Sequence, residues 1–405
     1  MLKNRKAALS FIFITVLIDV IGIGIIIPIM PQLISQLING SLSEAAIYGG
    51  WLMFAYAGMQ FLFAPVLGGL SDQYGRRSVL LISLFGFGLN YFLLAWAPTI
   101  HWLFIGRIIS GIMGASMTTA SAYIADISTK DNRAQNFGLI GAAFGMGFII
   151  GPPLGGVIGE FGARMPFIAS GCLALINWLY GYFVLPESLD KDKRRAFKWS
   201  RANPFGSLYQ LKKHPVIIWL IMSLFVIHLA AHSTQSIWTY YTMLKFGWSI
   251  KMVGLSLAAV GFLVAVVQGG LIRIIIPKIG AKKGVYYGII LYMIGFILFA
   301  FASESWMLFL FMIPYALSGI AGPSIQGILT GQVPEDEQGE LQGSITSMLS
   351  LSAVISPPIM TAIFYKFTSE DSSIYFPGMP FLFAAFLVAI SFGLAIKSLK
   401  NHPTS

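Results

Sequence analysis

Apolar residues fill most of this chain in long runs, and short polar stretches separate the runs. A membrane-spanning helix needs about 20 predominantly apolar residues, because each residue adds about 1.5 Å of length. Twelve runs meet this requirement and are numbered spans 1 to 12. They cover about residues 8–31, 46–70, 78–97, 101–124, 136–159, 165–185, 215–238, 252–276, 284–302, 306–330, 341–364 and 377–397. The pattern predicts an all-α membrane protein with twelve transmembrane helices.

Composition supports the same class. Of the 405 residues, 56% are hydrophobic and only 10% are charged, whereas soluble domains carry about 25% charged residues. The net charge of +10 does not indicate nucleic acid, because the basic residues fall between the apolar runs, where they set membrane orientation. Cys172 is the only cysteine, so an intrachain disulfide is excluded.

Lysine and arginine predict which ends face the cytoplasm. Twelve spans put both termini on one side, and 21 of the 26 basic residues fall on that side. Eight of them lie in the loop 186–214, which is the only long polar connection. Cytoplasmic loops are enriched in lysine and arginine, so we expect both termini and this loop in the cytoplasm.

The two halves of the chain repeat each other. Gly151-Pro152-Pro153 recurs as Ser356-Pro357-Pro358, and the glycine of Gly75-Arg76-Arg77 recurs as Gly280, each 205 residues later. A third echo joins Ser110-Gly111 to Ser318-Gly319. The repeat predicts two parallel six-helix bundles, residues 1–185 and 215–405, joined by the cytoplasmic linker 186–214.

The loop after span 2 reads GGLSDQYGRR. Its small residues permit close helix ends, its aspartate can pair with a basic partner, and Gly75 suits a tight turn. The stretch resembles the major facilitator signature GxLxDRxGRR, except that Gln73 replaces a basic residue. The resemblance implies conformational gating by Gly68, Asp72, Gly75, Arg76 and Arg77. A simple turn with membrane-anchoring arginines is the alternative.

Span 5 reads GLIGAAFGMGFIIGPPLGG. Its glycines leave one helix face without large side chains, so close contact with another helix is expected. Its proline interrupts the helical hydrogen bonds, so bending is also expected. The spacing resembles the antiporter signature of drug exporters, Gx8Gx3GPx2GG, without a mismatch. Gating is therefore also expected at Gly147, Gly151, Pro152 and Gly155, with close packing alone as the alternative.

Span 4 begins GRIISGIMGASMTTASAYIAD, and span 1 carries Asp-Val-Ile-Gly-Ile-Gly before two prolines. Together these stretches resemble the tetracycline-resistance branch of proton-coupled drug antiporters, and the resemblance covers most of the chain. Gln60 also matches that branch. Asn90, Val264 and Tyr292 stand where that branch carries Asp, His and Asp. The resemblance therefore implies an exporter, and the departures argue against tetracycline as its substrate.

Asp19 is the acidic residue nearest the centre of a predicted span. A charge there costs about 2.5–3.5 kcal/mol on insertion scales, and burial favours the neutral carboxyl group whereas a nearby cation favours the ionised one. Such a group can bind and release protons as its surroundings change. We expect Asp19 to couple transport to protons, with Arg107 as its cation. A structural hydrogen-bonding aspartate is the alternative.

Polar residues within other spans are candidates for contact with a substrate. His228 and His232 are four residues apart, so they share a helix face, and neutral histidine can titrate near physiological pH. No third ligand accompanies the two histidines, so a metal site is not expected. The candidate substrate-binding residues are Gln60, Asn90, His228, His232 and Gln235.

These observations predict a major facilitator fold and a secondary transporter that exports a small amphipathic compound in exchange for protons. No phosphate-binding loop is present, so a proton gradient is the expected energy source and no cofactor is expected. The expected partners are the substrate, protons and the lipid bilayer of a bacterial inner membrane, and a monomer is expected. Import of a metabolite by symport or uniport is the alternative, and a non-transporting receptor or scaffold is another. The sequence shows no set of nucleophile and base residues that would indicate an enzyme.

Overall fold

The structure is a computed structural model that describes residues 5–114, 116–129, 132–199, 203, 217–334 and 337–400. Twelve helical segments in it are long and apolar enough to cross a membrane, which confirms the predicted all-α fold with twelve spans. The spans run Leu9–Ile38, Leu42–Tyr74, Arg76–Ala95, Ile100–Ile127, Gln135–Gly159, Met165–Val184, Ile218–Phe246, Ile250–Ile279, Ala281–Phe301, Ser305–Gly331, Leu341–Lys366 and Met379–Lys400.

Several spans are built from two helices. The α-helices are α1 Arg5–Ile26, α2 Met30–Ile38, α3 Leu42–Tyr74, α4 Arg76–Ala95, α5 Ile100–Gly114, α6 Ser116–Ile127, α7 Arg133–Gly159, α8 Met165–Val184, α9 Ile218–Phe246, α10 Ile250–Val266, α11 Ile272–Ile279, α12 Ala281–Phe301, α13 Ser305–Leu317, α14 Ala321–Gly331, α15 Gln338–Lys366 and α16 Met379–Lys400. A π-helical turn, Val267–Leu271, joins the two helices of span 8.

Span 1 is longer than predicted. The predicted end at Pro31 is wrong, because the chain continues through a 3₁₀ turn, Ile27–Ile29, into helix α2. Pro28 and Pro31 each occupy the first turn of the helical segment that they begin. A missing N–H group costs nothing at that position, since those groups have no partner within the helix. Proline at these two positions therefore does not end the span.

Contacts divide the chain into two compact units. Unit 1 comprises Met1–Gly40, Ala55–Pro204 and Ser249–Ala258, and unit 2 comprises Ser41–Phe54, Phe205–Trp248 and Ala259–Ser405. The start of span 2 thus belongs to unit 2, and the start of span 8 belongs to unit 1. The division at the linker 186–214 stays a prediction, and its residues 200–202 and 204–214 lie outside the described residues.

The same packing scheme is present in each unit. In unit 1, α1 packs against α7 and α8, and α4 packs against α5 and α8. In unit 2, α9 packs against α15 and α16, and α12 packs against α13 and α16. The two helices of each contact in unit 2 lie six spans later in the chain than the two helices of the corresponding contact in unit 1. The internal sequence repeat therefore corresponds to a repeated arrangement of helices.

Two glycines at equivalent places in this repeat begin the third and ninth spans. Gly75 has φ +96° and precedes α4, and Gly280 has φ +81° and precedes α12. Residues with a Cβ atom rarely adopt this backbone conformation. Glycine therefore lets the chain reverse direction directly between two consecutive spans in both halves.

Candidate functional site

Asp19 lies half-buried on α1 in unit 1 and contacts an amide from span 6. Asn177 is fully buried, and its Nδ2 atom lies 3.5 Å from Asp19 Oδ1 and donates to the carbonyl oxygen of Thr15 at 3.3 Å. The Thr15 hydroxyl donates in turn to Asn177 Oδ1 at 3.3 Å. The carboxyl group of Asp19 therefore faces a neutral, hydrogen-bonded amide that packing holds in one position.

Two tyrosines belong to the same neighbourhood. Tyr56 and Tyr91 each interact electrostatically with both Asp19 and Arg107, so the structure brings these four side chains together. Arg107 also lies with Nη2 3.3 Å from the sulfur of Met30. The predicted direct pairing of Asp19 with Arg107 stays a prediction.

Gln60 lies beside this group and is fixed by two partners. Its Nε2 atom donates to the carbonyl oxygen of Gly114 at 3.2 Å, and its side chain hydrogen-bonds the Tyr56 hydroxyl. A Cβ atom at Gly114 would lie 2.9 Å from that hydroxyl. The absence of a side chain at this glycine thus makes room for Tyr56 and Gln60.

Asn90 is buried between spans 3 and 4. Its Nδ2 atom donates to the Ser110 hydroxyl at 2.6 Å, and within the described residues no donor reaches its Oδ1 atom. A Cβ atom at Gly106 would lie 3.3 Å from that oxygen. Asn90 therefore has one oriented hydrogen-bond acceptor that is buried and unpaired within the described residues.

The predicted histidines both lie on α9 in unit 2. His228 Nδ1 lies 2.9 Å from the carbonyl oxygen of Leu224, one turn earlier. His232 Nδ1 lies 3.0 Å from Gln235 Oε1. Each ring therefore keeps its Nε2 atom available for another partner. Within the described residues, no group of three or more His, Cys, Asp or Glu side chains could hold a metal ion.

An aromatic cluster occupies the centre of unit 2, where span 9 meets span 10. The Tyr292 ring stacks on Phe296 at 4.6 Å between centroids and meets Tyr315 edge-on at 5.3 Å. Tyr292 is buried, whereas Val264 packs at the side of a separate apolar cluster with Ile320. Val264 and Tyr292 are the two positions in this unit that depart from the tetracycline-resistance pattern. Neither side chain is charged at neutral pH.

The loop between spans 2 and 3 forms a charged network in unit 1. Arg76 is buried and pairs with Asp72 at 2.6 Å and with Asp126, at the end of span 4, at 3.2 Å. Its neighbour Arg77 donates through Nη2 to the carbonyl oxygen of Tyr182 at 2.7 Å. The network therefore joins the ends of four spans.

Glu187, just after span 6, closes this network. Its Oε1 atom accepts the Arg76 backbone N–H at 2.9 Å, and its Oε2 atom accepts that of Arg77 at 3.3 Å. These are free N–H groups at the positive end of α4, where a carboxylate is stabilising. A Cβ atom at Gly75 would lie 2.8 Å from the Glu187 carboxyl carbon, so a larger residue would displace this carboxylate, and the positive φ requires glycine here. At Gly68 a Cβ atom would lie 4.0 Å from the Thr118 hydroxyl, so glycine there is not required for space.

The glycines of span 5 pack directly against span 1. A Cβ atom at Gly147 would lie 2.7 Å from the Val20 side chain, and one at Gly151 would lie 2.8 Å from the Ile21 carbonyl oxygen. One at Gly155 would lie 2.7 Å from the carbonyl carbon of Ile25. The helix continues through Pro152 and Pro153. Spans 1 and 5 therefore lie in close contact over about two turns, and at Gly151 and Gly155 the contact is with the backbone of span 1.

The starts of spans 2 and 8 repeat this type of contact in the two units. In unit 1, a Cβ atom at Gly254 would lie 2.9 Å from the carbonyl carbon of Pro152. In unit 2, one at Gly50 would lie 3.1 Å from the carbonyl oxygen of Pro357. The two glycines are 204 residues apart, and each faces the proline pair of its unit.

Comparison with known proteins identifies the family. The sequence model described as Major Facilitator Superfamily matches residues 12–279 and 236–405. The chain belongs to the major facilitator superfamily. It is therefore a multi-pass membrane transporter and not an enzyme.

Curated members of this superfamily resemble the chain over most of its length. It is 39% identical to the tetracycline resistance protein, class C, of Escherichia coli, over 88% of this chain and 89% of that protein. It is 35% identical to the class B protein of the same organism, over 93% and 94%. The crystal structure of the human organic anion transporter MFSD10 (TETRAN) superposes with a TM-score of 0.73 at 21% identity, over 97% and 100%. The predicted resemblance to the tetracycline-resistance branch is thus confirmed.

Sequence reasoning missed four residues of this facilitator's candidate site: Tyr56, Tyr91, Asn177 and Glu187. Asn177 carried a usable signal, because an amide in an otherwise apolar span needs a polar partner. Glu187 follows a proline directly after span 6 and is separated from Arg76 by 111 residues. Nothing in the sequence pattern joins those two positions, so only the fold reveals their contact.

Proposed function

We propose that this protein is a proton-coupled exporter of a small amphipathic compound, working by alternating access. It acts as a monomer in a bacterial inner membrane, with both termini in the cytoplasm and the proton gradient as its only energy source. The similarity to tetracycline resistance proteins over most of the chain supports export. The bias of basic residues toward the linker and the termini supports the orientation.

The half-buried carboxyl group of Asp19 is the observation that carries this proposal. Its contact is the neutral amide of Asn177. Protonation of Asp19 therefore leaves no buried cation without a partner at that contact. Arg107 stays charged at every physiological pH and acts on the same tyrosines as Asp19. A change in the distance between these two groups during the cycle would alternately favour uptake and release of the proton.

The substrate contacts follow from the polar atoms that remain open. Gln60 and Gln235 offer amide groups to a substrate, whereas the unpaired Oδ1 atom of Asn90 is buried. His228 and His232 can each add an Nε2 atom. Ligand pockets combine apolar and aromatic walls with a few such groups. We therefore propose a neutral or weakly charged substrate with an apolar body and at least one hydrogen-bond donor.

Tetracycline is a second candidate substrate, because the relatives named above carry it in their names. Against it stand Asn90, Val264 and Tyr292, none of which is charged at neutral pH. Import by symport or uniport is an alternative direction of transport.

The experiment is a transport screen with purified protein in proteoliposomes under an imposed pH gradient. Neutral amphipathic dyes and drugs are tested beside tetracycline, with wild-type protein and Asp19→Asn. Asparagine keeps the size of the side chain but cannot release a proton, so gradient-driven transport should be lost while the protein stays folded. Gradient-driven transport at the wild-type rate in Asp19→Asn would overturn the proposal.

A further inference from the structure

The first part of the linker lies on the loop between spans 2 and 3 in unit 1. The residues concerned are Arg194–Trp199, called the strap below, which have the sequence RRAFKW. The Arg195 backbone N–H donates to the carbonyl oxygen of Asp72 at 3.1 Å, and the Phe197 N–H donates to Gln73 Oε1 at 3.0 Å. Two consecutive residues at the end of span 2, Asp72 and Gln73, therefore each hold one residue of the strap.

Phe197 also fits against a glycine of the same helix. A Cβ atom at Gly69 would lie 2.8 Å from the Phe197 ring, and among the described residues it would meet no other side chain within 4 Å. Gly69, Asp72 and Gln73 stand three and four residues apart on α3, so they share one helix face. One face of the helix end thus provides a seat for the ring and two acceptors for the backbone.

Both acceptors have a physical reason to bind the strap. Asp72 is in the last turn of α3, where carbonyl groups have no partner within the helix. Gln73 stands where the family signature has a basic residue, and an arginine or lysine side chain has no acceptor atom. The departure from the family pattern at this position is therefore what allows the second hydrogen bond.

The strap is also tied to the charged network. Arg194, at its first residue, pairs with Glu187 at 3.8 Å, and Glu187 accepts the N–H groups that begin α4. The docked strap therefore contacts the end of span 2 directly and the start of span 3 through Glu187. These two contacts lie on either side of the Asp72–Arg76 pair. Arg195, Lys198 and Trp199 remain exposed.

We propose that this strap is an intramolecular brace, and that its docking through Gln73 and Gly69 sets the rate of the transport cycle. A docked strap keeps the Asp72–Arg76–Asp126 network rigid while the protein changes conformation. Release of the strap should slow turnover and leave substrate affinity unchanged. The effect on turnover rests on the proposed transport function, whereas docking of the strap does not.

Docking is tested by amide hydrogen exchange of residues 194–199 in the purified full-length protein in lipid nanodiscs. Gln73→Arg and Gln73→Leu remove the acceptor, and Gln73→Glu keeps one. Exchange should rise roughly two- to tenfold in the first two variants, the factor that corresponds to one net hydrogen bond, and stay at the wild-type rate in Gln73→Glu. Unchanged exchange in both Gln73→Arg and Gln73→Leu, or an equal rise in Gln73→Glu, would overturn the proposal.

A double-mutant cycle tests the seat of the ring. Gly69→Ala and Phe197→Ala should each speed exchange of the strap. Gly69→Ala should add nothing in the Phe197→Ala background, because the ring is the group that the new methyl would meet. Gly58→Ala is the matched control, because it lies on the same helix and its added atom would meet no described residue within 4 Å; it should behave as wild type. An additive effect of Gly69→Ala in the double variant would contradict the seat.

Transport measurements then test the role of the strap. Gln73→Arg should lower the maximal rate severalfold at an unchanged half-saturating concentration, and Gln73→Glu should transport as wild type does. If hydrogen exchange shows that the strap is released in Gln73→Arg but the maximal transport rate stays at the wild-type value, the kinetic role is refuted. If the wild-type protein shows no transport although its strap is protected from exchange, the result would instead count against the proposed function.

Discussion

Substitution of Gly151 by alanine should destabilise the protein through the contact between spans 1 and 5. The new Cβ atom would lie 2.8 Å from the Ile21 carbonyl oxygen and 2.9 Å from Gly24 Cα. Non-bonded carbon atoms normally lie about 3.5–4.0 Å apart. Both atoms that would be met belong to the backbone, so no side chain can rotate away. Span 1 must move by roughly 0.7–1 Å to restore that contact distance.

The expected magnitude follows from overpacking in well-packed interiors, which typically costs about 1–3 kcal/mol. Gly145→Ala is the matched control, because it lies in the same helix and the added atom would meet nothing within 4 Å in the part of the chain that the structure describes. Alanine has a helix propensity about 0.8–1.0 kcal/mol better than glycine, so the control should be at least as stable as wild type. The comparison separates the helix contact from the effect of adding a methyl group to a helix.

The assay is thermal unfolding of the purified variants in detergent, followed by tryptophan fluorescence. Gly151→Ala should unfold at a lower temperature than Gly145→Ala, by a few degrees at most, because 1 kcal/mol shifts a midpoint by about 2–4 °C at 150–250 residues and by less in this chain of 405 residues. Gly24→Ala, on the facing helix, meets Pro152 and Gly151 and should cost a similar amount. Equal midpoints for Gly151→Ala and Gly145→Ala would refute the reasoning.

Three further predictions concern the charged network and the substrate. Asp72→Asn removes the charge that pairs with Arg76 at 2.6 Å and should slow turnover without weakening equilibrium binding of the substrate; a large loss of binding would contradict this. Asp190→Asn is its control: the Lys193 hydrogen bond lowers the pKa of the Asp190 carboxyl, but the pair is exposed and such pairs contribute little, so transport should not change. Glu187→Gln should slow transport as Asp72→Asn does, measured as the initial rate, because a neutral amide is a weaker cap for α4. Tetracycline should be a poor substrate, so expression in a host lacking its own exporters should give little resistance; robust resistance that Asp19→Asn abolishes would show that Asn90, Val264 and Tyr292 were misinterpreted.

The number and order of spans could be predicted from the sequence because each span needs a long apolar run and each turn needs polar or small residues. The ends were harder to predict. Pro31 looked like the end of span 1, yet proline in the first turn of a helix interrupts nothing, and the span continues to Ile38. Gly75 was predicted as a turn, and its positive φ agrees with that reading.

The candidate site was predicted only where a residue type is unusual for its surroundings. Asp19 stood out because a carboxyl group in an apolar span is costly, and Arg107 stood out for the same reason. Tyr56 and Tyr91 did not, because tyrosine is common in membrane proteins and its partners here come from other spans. The contact of Gln73 with Phe197 joins residues 124 positions apart, and only the folded chain brings them together.

Proton movement during substrate transport, without an imposed pH gradient, tests the central claim most directly. A pH-sensitive dye is enclosed in proteoliposomes, and a substrate found in the screen is added outside. The account predicts that substrate entering the vesicles drives protons out, so that the lumen becomes more alkaline with wild-type protein and stays unchanged with Asp19→Asn. Acidification of the lumen would indicate symport, and substrate entry without any pH change in the wild-type protein would indicate uniport; either result would contradict the account.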